Sequence, residues 1–384
     1  MASDRPRLLF VVTEDWYFHS HRLPLAQAAL EGGYAVAVAT RVNAHRAAIE
    51  ACGCEVIPLR KLRRRSLNPL REVGAVIELV GVYRRWRPDI VHQVAIKPVL
   101  YGSLAARLAG VRSSVNALAG LGFVYSSRTS LARMLRPLIT SALRLALNRR
   151  GSVAIVQNDD DAAMLRSIGL ADTSAVEIIR GSGVDLERFS PPQGPASAPP
   201  IVMLASRMLW DKGIGEFVEA AKRLRLERTD VRFVLVGGRD EENPTAIPAE
   251  VLAGWQRAGI VEWWGQRDEM ADVLRQATIV CLPSYREGLP KVLLEAAACA
   301  KPIVTTDVPG CRDVVEPGKT GLLVPSHDDT ALADALRTLL ADTALCERMG
   351  QKARQRVAAR FSLAAVQAAT LDLYRKLGQT PAIA

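Results

Sequence analysis

The 384-residue chain has no run of the ~18 consecutive apolar residues that a membrane-spanning helix needs, so no transmembrane segment is expected. A secretory leader is not expected either. The first apolar run, Leu8–Val12, is short, and Thr13-Glu14-Asp15 follows it with no small-residue cleavage site, so it reads as a first β-strand. Zinc spacing is missing from the six cysteines: Cys52-Gly53-Cys54 has no second pair. With no export signal, those cysteines are expected as reduced thiols in a cytoplasmic protein. Gly32-Gly33 and Gly237-Gly238 are only fragments of G-x-G-x-x-G, which leaves a nicotinamide cofactor without support.

Acidic residues are missing from one long stretch. None occurs between Asp89 and Asp159, while nine Lys and Arg do. Residues 1–190 hold 26 basic against 16 acidic side chains, and the remainder holds 24 of each, so the whole net charge of +10 lies in the first half. A second basic cluster, Arg60-Lys61-Leu62-Arg63-Arg64-Arg65, is followed by Arg71. Such a half attracts an anionic partner. Segment 128–150 interleaves arginines with Leu131, Met134, Leu135, Leu138, Ile139, Leu143, Leu145 and Leu147. That mixture suits a helix lying on an anionic membrane surface, with Pro137 expected to kink or split it. The alternative is an ordinary Arg-rich surface helix. Nucleic acid is disfavoured, because neither interleaved aromatics nor a recognisable reading motif accompanies the charge.

Short Val/Ile/Leu-rich runs alternate with helical patterns along the whole chain. Strands are expected at 7–12, 35–39, 55–58, 90–94, 113–117, 153–156 and 176–179. In the second half they are expected at 201–206, 231–236, 260–264, 278–282, 302–305 and 321–324. The alternation predicts parallel sheets covered by helices, an α/β class. Segment 190–200, with five prolines, reads as a linker. The expected organisation is therefore a doubly wound, Rossmann-like N-terminal domain over 1–189 and a linker over 190–200. A second such domain covers 201–361, and a C-terminal helix within 362–384 crosses back to the first. Two domains of this kind are expected to leave a ligand cleft at their C-terminal strand ends.

Two constellations carry chemistry. In Ser284-Tyr285-Arg286-Glu287-Gly288-Leu289-Pro290, the strand ends, Gly288 permits a turn and Pro290 suits the first helical position. The free N–H groups of the following helix make an anion site. Glu287 just before that helix and Glu295 two turns in suit hydroxyls of a sugar or ribose; alternatively, Glu295 caps a buried network. In Arg207-Met208-Leu209-Trp210-Asp211-Lys212-Gly213, two cations follow a strand, an arrangement suited to a diphosphate, or else they are plain surface charges. Asp159-Asp160-Asp161 formally matches a metal-binding Asp-x-Asp, but Asn158 and the following helical pattern explain it as a capped helix start.

Taken together, Arg207-x4-Lys212-Gly213, Val236-Gly237-Gly238 and Glu287-x7-Glu295 resemble the retaining glycosyltransferases of family 4, which have the GT-B fold of two facing Rossmann-like domains. So do Gly181–Phe189, Lys301-Pro302-Ile303-Val304 and Gly318–Pro325. In the first half, Glu14–Arg22, Ile96-Lys97-Pro98 with Tyr101-Gly102, and Gly120-Leu121-Gly122 resemble a bacterial branch that builds glycans on polyprenyl-diphosphate carriers. The resemblance covers nearly the whole chain.

It implies a transferase that moves a sugar from a nucleotide-diphosphate donor, UDP before GDP, to a polyprenyl-diphosphate-linked glycan at the cytoplasmic face of the membrane. No cofactor or metal is expected, the nucleotide-sugar being a substrate. By resemblance, Arg207 and Lys212 hold the donor diphosphate. Glu295 takes the ribose, and Glu287 the donor sugar with the backbone of Gly288, Leu289 and Pro290. Gly237, Trp264 and Arg267 lie by the nucleotide. Glu14, Trp16, His19, His21, Arg22 and Lys97 lie on the acceptor side or in the cleft, the 13–22 segment being a loop that closes over the donor phosphates or the acceptor. Many family members carry His-x-His at the end of the fourth strand; here the second position is Val94, and His92 is either structural or a site residue. Two rival readings are a nucleotide-sugar 2-epimerase of the same architecture and a non-catalytic membrane-surface protein.

Overall fold

A computed structural model describes residues 5–64, 68–118, 130–169, 176–194, 199–227 and 230–379. The chain forms two compact units, one running to Ser182 and resuming at Val366, the other spanning Gly183–Ala365.

The first unit runs β1 (Arg7–Glu14), α1 (Asp15–His21), α2 (Leu23–Glu31), β2 (Ala35–Arg41), α3 (Arg46–Ala51), β3 (Glu55–Pro58) and α4 (Pro69–Trp86). It continues with β4 (Ile90–Val94), α5 (Ile96–Ala109), β5 (Ser113–Ala117), α6 (Ser130–Leu147), β6 (Ser152–Val156), α7 (Asp159–Ser167) and β7 (Val176–Ile178). Its strands pair in parallel in the order β3-β2-β1-β4-β5-β6-β7. Leu8, Phe10 and Val12 of β1 pack toward one helical layer, and Leu9 and Val11 toward the other, so the strand is apolar on both faces, as a covered parallel sheet requires.

The second unit runs β8 (Ile201–Ala205), a 3-10 turn at Trp210–Lys212, α8 (Ile214–Glu227), β9 (Arg232–Val236), α9 (Ala249–Arg257), β10 (Glu262–Trp263), α10 (Met270–Gln276) and β11 (Ile279–Leu282). Then follow α11 (Lys291–Ala298), β12 (Ile303–Thr306), α12 (Cys311–Val314), β13 (Gly321–Val324), α13 (Asp329–Ala341), α14 (Thr343–Arg360) and α15 (Leu363–Gly378). Its parallel sheet has the order β10-β9-β8-β11-β12-β13. All thirteen expected strands are present among the described residues. In each sheet the order reverses beside the first strand, between β1 and β4 and between β8 and β11. Ligand crevices of open α/β sheets form at such switch points.

Three local features differ from expectation. The division between units precedes 189: Val184 is tied to Phe361 and Leu363 by backbone hydrogen bonds. Arg275 and Arg354 hold the carbonyls of Arg188 and Phe189, so 183–189 belongs with the second unit. Of segment 190–200, residues 195–198 lie outside the described residues, and the rest forms neither helix nor strand. The 13–22 segment is not a loop but the end of β1 followed by α1. Buried Asp15 takes the amides of Asn43 (2.7 Å) and His45 (2.9 Å), which fastens the start of that helix. Helix α6 passes through Pro137 without being split. Gly120-Leu121-Gly122, Arg65, Arg128 and the side chains of Leu131, Arg133 and Leu135 lie outside the described residues.

Helix α15 leaves the second unit at Ala365 and joins the first unit's core through Val366, Leu373, Tyr374 and Leu377. Gln367 donates to the Pro24 carbonyl (2.8 Å) and Ser113 to that of Leu377 (3.3 Å), which fixes the helix along the sheet.

Candidate active site

In the second unit the site residues are carried by the two loops that flank the switch point. Beyond β8, the chain passes Arg207 and turns through Trp210–Lys212 to Gly213, whose φ is +71°. A β-carbon on Gly213 would lie 2.0 Å from the Pro283 carbonyl oxygen, so the post-β8 loop rests directly on the end of β11. That contact brings Lys212 to Glu287: its Nζ meets Oε1 of the carboxylate, to which Ser284 Oγ also donates at 2.8 Å. Both partners are largely buried. The pair places a cation and a carboxylate side by side at the C-terminal edge of β8 and β11.

Pro290 is the N-cap of α11, one residue earlier than expected, and Lys291 is the first helical residue. Gly288 is half-buried; Leu289 and Pro290 are buried. Glu295 is buried one turn after Lys291, which it meets at 3.2 Å. Burial pushes its carboxyl above the ordinary value, against the pull of Lys291. Lys291 is the cation that offsets the burial of this carboxylate.

Arg207 does not meet Lys212. It is half-exposed and pairs at 2.5 Å with Asp240, which follows β9 and which sequence reasoning missed. The signal available was positional: Asp240 lies just beyond Gly237-Gly238, at the same sheet edge. Gly237, at φ +136°, has room for no side chain, since a β-carbon would lie 1.8 Å from the Ser206 carbonyl oxygen. Its carbonyl takes the Trp263 indole at 2.9 Å. Trp264 donates to Glu262 (3.0 Å), while Arg267 is exposed and away from Lys212 and Glu287 in the hydrogen-bond network. A further unanticipated group is Tyr285, which donates to Glu216 at 2.8 Å and meets the His327 ring at 3.8 Å, tilted by 36°. Burial and the Glu216 carboxylate raise the Tyr285 phenol above its ordinary value.

In the first unit, Asn43 spans Glu14 (2.9 Å) and Asp15 (3.2 Å). Burial alone would raise the Asp15 carboxyl, yet the amides of His45 and Asn43 hold it below its ordinary value. Trp16 and Tyr17 meet edge to face at 5.9 Å; His21 stacks on Tyr17 at 4.3 Å and His19 on His45 at 4.5 Å. Lys97, after β4, is engaged by Glu72 (3.1 Å) and stands apart from the histidine stacks. Arg22 is buried between α1 and α2. His92 is buried too, stacked on Phe10 at 5.1 Å with Nδ1 2.5 Å from the Tyr374 hydroxyl. Desolvation and the nearby Arg22 charge keep its imidazole neutral, well below the ordinary value. The three aspartates open α7: Asn158 caps it by accepting from the Asp161 amide at 2.7 Å, and Asp159 pairs with Arg180 at 2.8 Å. Among the described residues no three His, Cys, Asp or Glu side chains group as metal ligands, and no helix is long and apolar enough to cross a membrane.

The family model for glycosyl transferases group 1 matches residues 199–342, and that for 4-like glycosyl transferases matches residues 7–157. A curated relative from Campylobacter jejuni, N,N'-diacetylbacillosaminyl-diphospho-undecaprenol alpha-1,3-N-acetylgalactosaminyltransferase, is 30% identical over 346 residues. That alignment spans 87% of this chain and 89% of the relative. The chain belongs to glycosyltransferase family 4. It is an enzyme that transfers sugars, so neither the epimerase nor the non-catalytic reading is retained. Its fold is that of solved GT-B enzymes. Sucrose-phosphate synthase from Thermosynechococcus elongatus matches with a TM-score of 0.79 at 24% identity, over 97% of this chain and 99% of that one. Anabaena HepE in complex with UDP and glucose matches with a TM-score of 0.76 at 19% identity, over 96% and 99%.

Proposed function

We propose that this glycosyltransferase moves a sugar, with retention, from a UDP-sugar to a glycan carried on a polyprenyl diphosphate. The observation that carries the acceptor reading is the near-full-length likeness to the Campylobacter enzyme, whose name specifies an undecaprenol-diphosphate-linked acceptor. The donor reading rests on the second unit. Arg207 and Lys212 bracket the switch point, where they hold the diphosphate and stabilise the leaving nucleotide's charge. Asp240 and Glu287 keep these two cations in place until the donor displaces them. Glu295 takes the ribose hydroxyls, Glu287 and the 288–290 backbone the sugar. Gly237 lets the backbone approach the nucleotide, with Trp264 and Arg267 toward the base. Glu14, Trp16, His19, His21, Arg22 and Lys97 serve the acceptor. The fixed cations take the charge-stabilising role, and no resident metal is included.

Nucleotide binding tests the donor reading. At ~100 times its Kd, UDP stabilises the protein by about 2.7 kcal/mol, a melting shift that EDTA leaves unchanged. A protein that no nucleotide shifts has no such donor site, and one shifted only in the presence of a divalent cation is not metal-independent.

The membrane part of the proposal rests on three neighbouring helices of the first unit. Leu70, Val73 and Ile77 on α4 and Met134, Leu138 and Leu145 on α6 are exposed, and α5 lies between these helices with its own exposed Leu104 and Leu108. The acid-free segment 90–158 includes two of them. An anionic bilayer fits a surface of this composition. Binding to vesicles containing anionic lipid is expected to weaken as salt rises from 0.05 to ~0.5 M, since the Debye length contracts severalfold. Sedimentation that ignores both salt and lipid charge removes the membrane assignment.

A further inference from the structure

Arg22 is 6% exposed, yet among the described residues no carboxylate and no side-chain hydrogen bond meets its guanidinium, and its Nε is buried without a partner. A buried cation is costly unless an anion or well-placed acceptors compensate it. The same cavity exposes a second orphan, the buried Nε2 of His92. The tautomer follows from its neighbour. The Tyr374 phenol is fully buried, and among the described residues its one hydrogen-bond partner is His92 Nδ1 at 2.5 Å. A buried phenol needs an acceptor, so it donates to Nδ1, and the imidazole proton sits on Nε2. Nε2 is then a donor.

The cavity lies in the first unit at the C-terminal ends of β4–β6, just beyond β7, and next to the switch point. Gln157, Gly181 and Thr370 complete its polar lining, apolar side chains of Ala117, Leu118, Ile155 and Ile179 close the rest, and no carboxylate lines it. Thr370 spends its hydroxyl proton on the Val366 carbonyl at 2.8 Å. The lining therefore offers one full positive charge and a neutral N–H donor, with the Gln157 carboxamide as a further polar group and no negative charge. A single water satisfies one orphan donor but leaves the charge uncompensated.

We infer that the Arg22–His92 cavity is a binding site for a phosphoryl oxyanion, with Arg22 supplying the charge and His92, oriented by Tyr374, a hydrogen bond. Two sources share that chemistry, free inorganic phosphate and the diphosphate of a lipid carrier. Only the second rests on the proposed acceptor.

The test uses the full chain saturated with UDP, so that the second unit's cations are occupied, titrated with inorganic phosphate, then pyrophosphate, then a short-chain water-soluble polyprenyl diphosphate. Melting temperature and calorimetric affinity are both read. Wild type is expected to gain stability with at least one of these anions. Arg22→Met is expected to lose about 10–100-fold in anion affinity, the scale of one charge-assisted hydrogen bond. It is also expected to melt no lower than wild type in anion-free buffer, because a buried uncompensated charge has gone. An Arg22 held in place only for packing gives the opposite pattern, a lower melting point and an unchanged anion response, and that result overturns the proposal. Should Arg22→Met fail to fold, His92→Gln serves: it keeps a neutral side chain but is expected to weaken anion binding severalfold. Wild type that responds to none of the three anions holds only water there, and the site is rejected. A response to polyprenyl diphosphate exceeding that to pyrophosphate assigns the carrier as the source. A response to inorganic phosphate alone keeps the site and removes the carrier, whatever the UDP result says of the donor site.

Discussion

Replacing Lys212 by Met is expected to lower kcat by ~10²–10³-fold while leaving the fold intact. The side chain is not core: its Nζ meets Glu287 Oε1 at the edge of the sheet, and the Met stem keeps most of the packing. What is lost is a fixed cation beside the position where the leaving diphosphate gathers charge, and losses of that kind fall in this range. The Glu287 carboxylate would retain the Ser284 hydroxyl at 2.8 Å as its remaining strong donor, so it stays in place but uncompensated. UDP affinity is expected to fall less than kcat, because a point charge on the diphosphate matters more as negative charge develops than in the ground state. Steady-state kinetics together with UDP titration separates the two. If KM rises and kcat does not move, Lys212 contributes uniform binding and has no special role in the transition state. Lys212→Arg keeps the charge on a larger, planar head and is expected to recover only part of the rate.

The fold was largely legible because a parallel sheet covered on both faces writes itself as short Val/Ile/Leu runs. β1 is buried apart from its first and next-to-last residues, and β4, β5, β8, β11 and β12 are buried from end to end, as strands covered on both faces must be. Features set by tertiary partners were not legible. Helix α1 carries few helix-favouring residues, and its first turn is fixed by amides that arrive from the 43–45 segment. The end of the first unit precedes the proline-rich stretch because Arg275 and Arg354, far along the chain, hold the backbone of 186–190. Composition marks where a chain is unlikely to form regular structure; it does not show which side claims the residues before it. The Arg207–Asp240 pair was equally hidden, since it joins the ends of two adjacent strands 33 positions apart. His92 shows the reverse case. Read from sequence it was either structural or part of a site, and the structure gives its two nitrogens different roles: Nδ1 is tied to Tyr374, while Nε2 faces a cavity.

Gly213→Ala is expected to be among the most damaging single-atom additions to the second unit, costing ~2–4 kcal/mol and most of the activity. Two effects combine. The residue sits at φ +71°, where a β-carbon costs roughly 1–2 kcal/mol in any surroundings. The added atom would also fall 2.0 Å from the Pro283 carbonyl oxygen and 2.6 Å from its carbon. Both are backbone atoms at the buried end of β11, and they cannot turn aside as a side chain can. Relief comes only by lifting the post-β8 loop from β11, which draws Lys212 away from Glu287, and a displacement of about 1 Å is enough to cost ~10²-fold in rate. Gly33 supplies the control. It has a similar φ of +88°, but a β-carbon there meets nothing within 4 Å. Gly33→Ala is therefore expected to lose only the conformational part, roughly 1–2 kcal/mol, with catalysis unchanged. Urea denaturation of both variants, alongside kinetics at saturating donor, measures the difference. Equal destabilisation would mean that backbone conformation alone sets the cost at Gly213. A larger loss at Gly213 without a fall in kcat would mean that the loop moves without carrying Lys212 with it.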